Sequence, residues 1–280
     1  MTLFNAVAFD VDAYLARVGY RARNADLTTL QELALLHPCA IPFENLDPLL
    51  RRPVLLDIES IQQKLVKGGR GGWCFEHNLL MGTALTALGY NVTGLSARVV
   101  WNVPAGVVRA RTHMVLHVAL DEGPYIVDVG FGGTTPTAPL RLTADVEQRT
   151  PHEPFRLTRV NEAFLLDVKL EGAWRGMYVF DLQPQMLADY EMPNWHLCNH
   201  PESHFLASLV AARAEPDRRY ALRNADFTVY FPDGFIERRV LSTGPEIRQT
   251  LEEVFHINVP TGADVNQTFD RFAGRLTTAT

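Results

Sequence analysis

Apolar residues recur every three or four positions through the first third of the chain, a spacing typical of amphipathic helices. It predicts helices from Val11 to Val18 after a capping Asp10, from Leu27 to Leu36, from Ile58 to Leu65, and from Trp73 to Leu88 before Gly89. Residues 41–47 interrupt this pattern, because Pro42 is a helix breaker. We therefore predict an irregular segment there between helical ones.

After Gly89 the pattern changes to short runs rich in β-branched and aromatic residues, which favour strands. Strands are predicted at Val92–Val103, Thr112–Leu120, Tyr125–Val129, Phe155–Thr158, Phe164–Leu170 and Trp174–Tyr178. Residues 121–124, Asp-Glu-Gly-Pro, predict a turn between the second and third of these runs. This part of the chain is predicted to form an antiparallel sheet or a small barrel.

From about Pro193 the chain mixes helical and strand patterns again. Helices are predicted at Ser203–Arg213 and Pro245–Phe255, and a hairpin joins Phe227–Phe231 to Phe235–Val240.

Composition narrows the class of protein. The 280 residues are 47% hydrophobic and 21% charged, with a formal net charge of −6, as is usual for a globular protein. We predict no nucleic-acid partner, because lysines and arginines form no stripe. We predict no membrane span, because no apolar run approaches about 18 residues. The N-terminal residues lack the pattern of a signal peptide, and three widely spaced cysteines suggest neither disulfides nor a zinc site. A cytoplasmic protein is expected.

Cys74 is the strongest candidate for chemistry. It follows Gly71 and Gly72 and stands where a loop becomes a helix. The free N–H groups at a helix start stabilise an anion, which favours the nucleophilic thiolate form of a cysteine. A buried structural cysteine is the alternative reading of the same position.

A thiolate nucleophile needs a base, and the base needs a group that orients it. His113 and His117 lie on one face of the first strand of the predicted hairpin, and Asp128 lies on the second strand. A turn at 121–124 would pair position 117 with position 128. It would thus place Asp128 nearer His117 than His113, unless a bulge, strong twist or longer loop intervened. The spacing alone leaves the choice of histidine open.

Several motifs resemble those of the arylamine N-acetyltransferases, bacterial type. They are Arg70-Gly-Gly-Trp-Cys-Phe-Glu-His-Asn78, Thr112-His113, Val127-Asp-Val-Gly-Phe-Gly132, Ile41-Pro-Phe-Glu-Asn-Leu46 and Asn199-His-Pro-Glu-Ser-His-Phe205. The resemblance implies an α+β fold with a core like that of the papain and transglutaminase cysteine enzymes. It implies three segments: a helical bundle (1–90) carrying the cysteine, a central antiparallel β-barrel (91–192) carrying the histidine and aspartate, and a C-terminal α/β lid (193–280).

The resemblance also implies an activity. Cys74 would accept an acetyl group from acetyl-CoA, with His113 as base and Asp128 as orienting group. The acetyl group would then pass to an arylamine or hydrazine, or to the oxygen of an N-hydroxyarylamine, in a ping-pong mechanism. Acetyl-CoA would be an acyl-donor substrate, with no bound cofactor and no metal.

Other positions gain roles by the same resemblance. The amine pocket would be lined by Phe43, Val99, Phe131 and Phe205, for which core packing is the alternative. Positions near the acetyl-CoA channel would be Trp101, Thr112 and Gly132. An ion pair between Arg70 and Glu44 would be structural. His77 differs from the apolar residue common in the family, and would either tune the thiol or be solvated.

Two other classes of function fit parts of the pattern. A cysteine hydrolase, such as an amidase or peptidase, could use the same triad, because the distinction rests on excluding water from the acyl-enzyme. A binding module without enzymatic activity would leave Asp128 unexplained, since an aspartate in an apolar strand needs a buried partner.

Overall fold

The computed structural model describes residues 3–21, 24–104 and 106–274. Most of its helices in the N-terminal part pack around one apolar cluster that also contacts the central sheet, whereas Leu46 and Leu49 belong to the C-terminal cluster. Their bounds are α1 (Val11–Val18), α2 (Leu27–Ala40), α3 (Leu46–Leu49), α4 (Ile58–Ile61), a π-helical turn (Gln62–Lys67) and α5 (Cys74–Ala87). Asp10 caps α1 as predicted, because its carboxylate accepts from the N–H of Ala13.

A seven-stranded antiparallel sheet forms the centre of the molecule and curves into a barrel-like shape around its own apolar cluster. Its strands are β2 (Asn91–Val99), β3 (His113–Leu120), β4 (Gly123–Val127), β5 (Leu140–Arg141), β6 (Phe155–Val160), β7 (Ala163–Leu170) and β8 (Ala173–Pro184). They lie in the order β5-β4-β3-β2-β8-β7-β6. The predicted strands of this region are confirmed.

A second, five-stranded sheet packs against two C-terminal helices around a third apolar cluster. Its strands are β1 (Phe43–Glu44), β9 (Val210–Glu215), β10 (Arg218–Arg223), β11 (Asp226–Tyr230) and β12 (Ile236–Val240), and the helices are α7 (Gly244–Glu253) and α8 (Ala263–Phe272). Because β1 belongs to residues 41–47, this segment joins the N-terminal part of the chain to the C-terminal sheet. The α+β fold class is confirmed.

Several details differ from the sequence predictions. The helix predicted at Ser203–Arg213 is wrong, because this segment forms a short 3₁₀ turn, His204–Leu206, and then β9. Helix α2 continues past Pro38 to Ala40. Helix α6 (Leu187–Asn199) was not predicted, since it contains Pro193; the predicted boundary at 192/193 falls inside this helix, so the division into three segments stays a prediction.

None of the helices within these described ranges is long and apolar enough to cross a membrane.

Candidate active site

Cys74 is the first residue of α5, and its thiol faces a cavity although its side chain is largely buried. The two preceding residues, Gly71 and Gly72, lie in close contact with the backbone of residues 42–44, where the two segments of chain cross. A Cβ atom on Gly71 would lie 2.0 Å from the carbonyl oxygen of Pro42, so only glycine fits there. The Gly72 carbonyl accepts from the N–H of Glu44 at 2.8 Å. This crossing fixes where α5 begins, and hence where Cys74 lies.

His113 is the first residue of β3, and Asp128 follows the last residue of β4. Nε2 of His113 lies 2.7 Å from Oδ2 of Asp128, and both side chains are buried. The predicted pairing of position 117 with position 128, which placed Asp128 nearer His117, is wrong. The hairpin loop has only the two residues 121 and 122, because Leu120 pairs with Gly123. His117 therefore pairs with Ile126 instead of residue 128.

The second carboxylate oxygen of Asp128 is held by two donors. Oδ1 accepts from Asn78 Nδ2 at 3.0 Å and from the Gly130 N–H at 2.9 Å. Burial alone would raise the pKa of Asp128, but the charge of His113 and these hydrogen bonds lower it below its ordinary value. Asn78 lies one helical turn after Cys74. Sequence reasoning assigned it no role, although the i,i+4 spacing on α5 places both on one face.

The ring of His113 packs against two aromatic rings. Its ring centroid lies 4.9 Å from that of Tyr178 and 5.3 Å from that of Phe131. Burial would lower the pKa of His113, but the charge of Asp128 and hydrogen bonds with Asp128 and Cys74 raise it to about 10. Since Nε2 bonds to Asp128, Nδ1 is the nitrogen left for the thiol. Sequence reasoning missed Tyr178, because nothing in a strand pattern marks which buried tyrosine meets the site.

The cavity beside the thiol has a volume of about 1340 Å³. It brings together every sequence-predicted site residue except Asp128, which lies behind His113; these lining residues are Phe43, Cys74, Val99, Trp101, Thr112, His113, Phe131, Gly132 and Phe205. The Thr112 carbonyl oxygen lies 3.6 Å from Cys74 Sγ. Phe205 meets the Phe43 ring at 6.2 Å and the Trp73 ring at 5.3 Å between centroids. A flat aromatic molecule could therefore lie between apolar rings next to the thiol.

A network of buried ion pairs supports the loop before Cys74. Arg70 Nη2 bonds to Glu44 at 2.6 Å and to Asp47 at 3.2 Å, so the predicted ion pair is confirmed. Lys64 bonds to Asp47 at 2.6 Å and to Glu76 at 2.7 Å. Glu76 also accepts from the Trp73 N–H at 3.1 Å, which connects the network to the start of α5.

His77 is fully buried inside the helical part of the molecule, so the prediction that it might be solvated is wrong. It faces away from solvent because its ring nitrogens bond to His37 and to backbone carbonyls. Over the described ranges, no group of three or more histidine, cysteine, aspartate and glutamate side chains could hold a metal ion.

Comparison with known proteins places this chain in a family. A family model described as N-acetyltransferase matches residues 26–264. The chain is 44% identical over 229 residues to an arylamine N-acetyltransferase of Mycolicibacterium smegmatis. The aligned region covers 80% of this chain and 83% of the relative. It is 41% identical over 231 residues to an arylamine N-acetyltransferase / N-hydroxyarylamine O-acetyltransferase of Salmonella typhimurium, covering 82% of each chain.

Solved structures of relatives have the same fold as this chain. The structure of Mycobacterium marinum arylamine N-acetyltransferase in complex with CoA superimposes with a TM-score of 0.91 at 38% identity, covering 94% of this chain and 100% of that one. The family model, the relatives and the fold lead to one conclusion: the chain belongs to the arylamine N-acetyltransferase family of acyltransferases.

Proposed function

We propose that this chain carries an acetyl group from acetyl-CoA to an arylamine through a thioester on Cys74. The observation that carries the proposal is the buried hydrogen bond between Asp128 and His113, with His113 and Cys74 together at the wall of an aromatic cavity. The M. marinum relative binds CoA, which supports acetyl-CoA as the donor. Hydrazines and N-hydroxyarylamines are further acceptors, the latter supported by the name of the Salmonella relative.

In the first half-reaction, the Cys74 thiolate attacks the carbonyl carbon of acetyl-CoA. The raised pKa of His113 keeps its ring protonated near neutral pH, so the ring stabilises the thiolate. The bond from the carbonyl carbon to the CoA sulfur then breaks, and His113 Nδ1 gives its proton to that sulfur. Backbone N–H groups at the start of α5 are placed to stabilise the oxyanion of the tetrahedral intermediate.

In the second half-reaction, the amine nitrogen attacks the carbonyl carbon of acetyl-Cys74. His113 takes a proton from that nitrogen, and Cys74 leaves as a thiolate, which restores the resting site. Asp128 holds Nε2–H throughout and so leaves Nδ1 for the proton transfers.

The cavity supports a division between acceptor and donor. Phe43, Val99, Phe131 and Phe205 would contact the flat ring of the amine, since aromatic rings among them lie in mutual contact beside the thiol. Trp101, Thr112 and Gly132 would lie along the acetyl-CoA channel, which the same cavity could hold. Such a cavity also favours transfer over hydrolysis, because a bound arylamine displaces water from the acyl-enzyme.

The test is CoA release from acetyl-CoA with and without an arylamine. The proposal predicts a stoichiometric burst of free CoA without the amine and continuous release only when the amine is present. Initial rates with both substrates varied should give the parallel lines of a ping-pong mechanism. Equal continuous release without the amine would contradict transfer and indicate a cysteine hydrolase.

A further inference from the structure

Three buried polar side chains form a line through the helical part of the molecule. Tyr14 on α1 has its hydroxyl 3.0 Å from Nδ1 of His37 on α2. Nε2 of His37 lies 2.9 Å from Nδ1 of His77 on α5. Nε2 of His77 lies 3.1 Å from the carbonyl oxygens of both Pro42 and Gly72. All three side chains are fully buried, yet none of them reaches the reacting atoms.

The carbonyls fix the direction of every hydrogen bond in this line. Carbonyl oxygens only accept, so Nε2 of His77 must carry a proton. Burial lowers the pKa of His77 to about 4 and that of His37 well below its ordinary value, so both rings are neutral. Nδ1 of His77 is then an acceptor, Nε2 of His37 donates to it, and the Tyr14 hydroxyl donates to Nδ1 of His37. The Met81 sulfur, 3.3 Å from that hydroxyl, is the weaker acceptor.

The two carbonyls belong to the crossing that sets the position of Cys74. Gly72 N–H donates to the Pro42 carbonyl at 3.3 Å, a long hydrogen bond. One N–H of His77 shared between the Pro42 and Gly72 carbonyls therefore joins both sides of this crossing. Gly72 stands two residues before Cys74, so a shift of the crossing is passed to the thiol.

We propose that His77 is a positioning residue for Cys74: its Nε2–H holds the Pro42 and Gly72 carbonyls together, and the hydrogen bond that its Nδ1 accepts from His37 keeps the proton on Nε2. The inference rests on the proposed role of Cys74 as the acetylated nucleophile. His77 acts through the backbone and touches no reacting group. A displacement of the nucleophile by about 1 Å can lower a rate about 100-fold, so the position of the crossing matters to acylation.

Two substitutions of similar size separate positioning from simple packing. His77→Gln places an amide N–H₂ near the position of Nε2 and keeps the donation to the carbonyls. His77→Asn can still accept from His37 but is too short to reach them. We expect His77→Gln to keep the single-turnover acetylation rate of Cys74 within about threefold, and His77→Asn to lower it up to about 100-fold.

Tyr14→Phe is the matched control, because it removes a buried hydrogen bond from the same line without removing the carbonyl donor. It should lower the melting temperature and leave the acetylation rate unchanged. Rates that follow melting temperature across all three variants, or equal rates for Gln and Asn at position 77, would overturn the inference.

A second measurement needs neither variant nor acetyl-CoA. Long-range ¹H–¹⁵N NMR correlations of the parent protein at pH 7 should show His37 and His77 as neutral Nε2–H tautomers. An Nδ1–H tautomer or a charged ring at His77 would overturn the inference. Iodoacetamide alkylation of Cys74, compared across the variants, should be slower in His77→Asn than in His77→Gln, Tyr14→Phe and the parent. If acetyl-CoA fails to acylate the parent while this ranking and the tautomers hold, the proposed function fails and the inference about His77 stands.

Discussion

Replacing Asp128 with asparagine should abolish most activity while keeping the fold, for a reason that lies in its hydrogen bonds. Oδ1 faces two donors, Asn78 Nδ2 and the Gly130 N–H. An asparagine at 128 would keep its carbonyl oxygen there, because the reverse orientation would set an N–H₂ group against both donors. Its N–H₂ group must then face Nε2 of His113, which forces the imidazole proton onto Nδ1.

That tautomer cannot accept a proton from the thiol, because Nδ1 is the nitrogen left for Cys74. The equivalent change in a serine triad lowers kcat about 10⁴-fold, which corresponds to about 5 kcal/mol of transition-state stabilisation. We expect a loss of similar size. The pKa of His113 should also fall, because burial lowers it and the charge of Asp128 no longer raises it to about 10. The thiolate–imidazolium pair would therefore be lost near neutral pH.

The assay is the single-turnover rate of CoA release, with the melting temperature measured on the same sample. Asp128→Ala is the matched control: it removes the carboxylate without imposing a tautomer on His113. The tautomer argument predicts that the asparagine variant is at least as slow as the alanine variant, although it preserves the two hydrogen bonds of Oδ1. A folded Asp128→Asn protein within about tenfold of the parent rate would refute the reasoning, since tenfold is only about 1.4 kcal/mol.

Three further predictions test the base, the acceptor pocket and the support beneath the site. His113→Ala should remove transfer. His117 pairs with Ile126 and not with residue 128, so His117→Ala should keep most of the activity. Steady-state rates of the two folded proteins test this difference. Phe205→Ala should weaken selectivity for aromatic over aliphatic amines about 10–200-fold, measured as the ratio of their kcat/KM values. Equal losses of rate in both half-reactions would point instead to a folding defect. Arg70→Gln should lower the free energy of unfolding by about 3–5 kcal/mol in urea, because it leaves a buried carboxylate unpaired. Its control, Arg52→Gln, breaks an exposed pair with side chains 37% and 56% accessible and should cost no more than about 1 kcal/mol; similar losses would contradict the assignment of a buried network.

The sequence predicted the parts of the fold that local patterns determine. Helix α1 begins after its capping aspartate, α5 begins at Cys74, and the β11–β12 hairpin turns at 232–234, because capping residues, apolar spacing and Gly or Pro act within a few positions. The aromatic cavity residues were also predicted, although through family resemblance. Spacing alone could not have brought Phe43 and Phe205 together across the chain.

The errors in the predicted structure arose where contacts between residues distant in sequence determine the local structure. Residues 210–215 include three alanines, which favour helix locally, yet they form β9 because they pair with β1 and β10 on either side. Helix α6, which contains Pro193, was not predicted. The β3–β4 register depended on whether the loop had two or four residues. That difference moves the position opposite residue 128 from 117 to 115, midway between the two histidines, so the triad could not be completed from spacing.

The most direct test of the account is the site of acetylation. The protein is incubated with acetyl-CoA without an amine, and its mass and peptides are measured. We predict one added acetyl group, located on Cys74, that is discharged when an arylamine is added. Cys39 and Cys198 should remain unmodified, because burial raises the pKa of Cys39 to about 11 and also raises that of Cys198. Acetylation at either of those cysteines, or an acetyl-Cys74 that passes to water as fast as to the arylamine, would contradict the account.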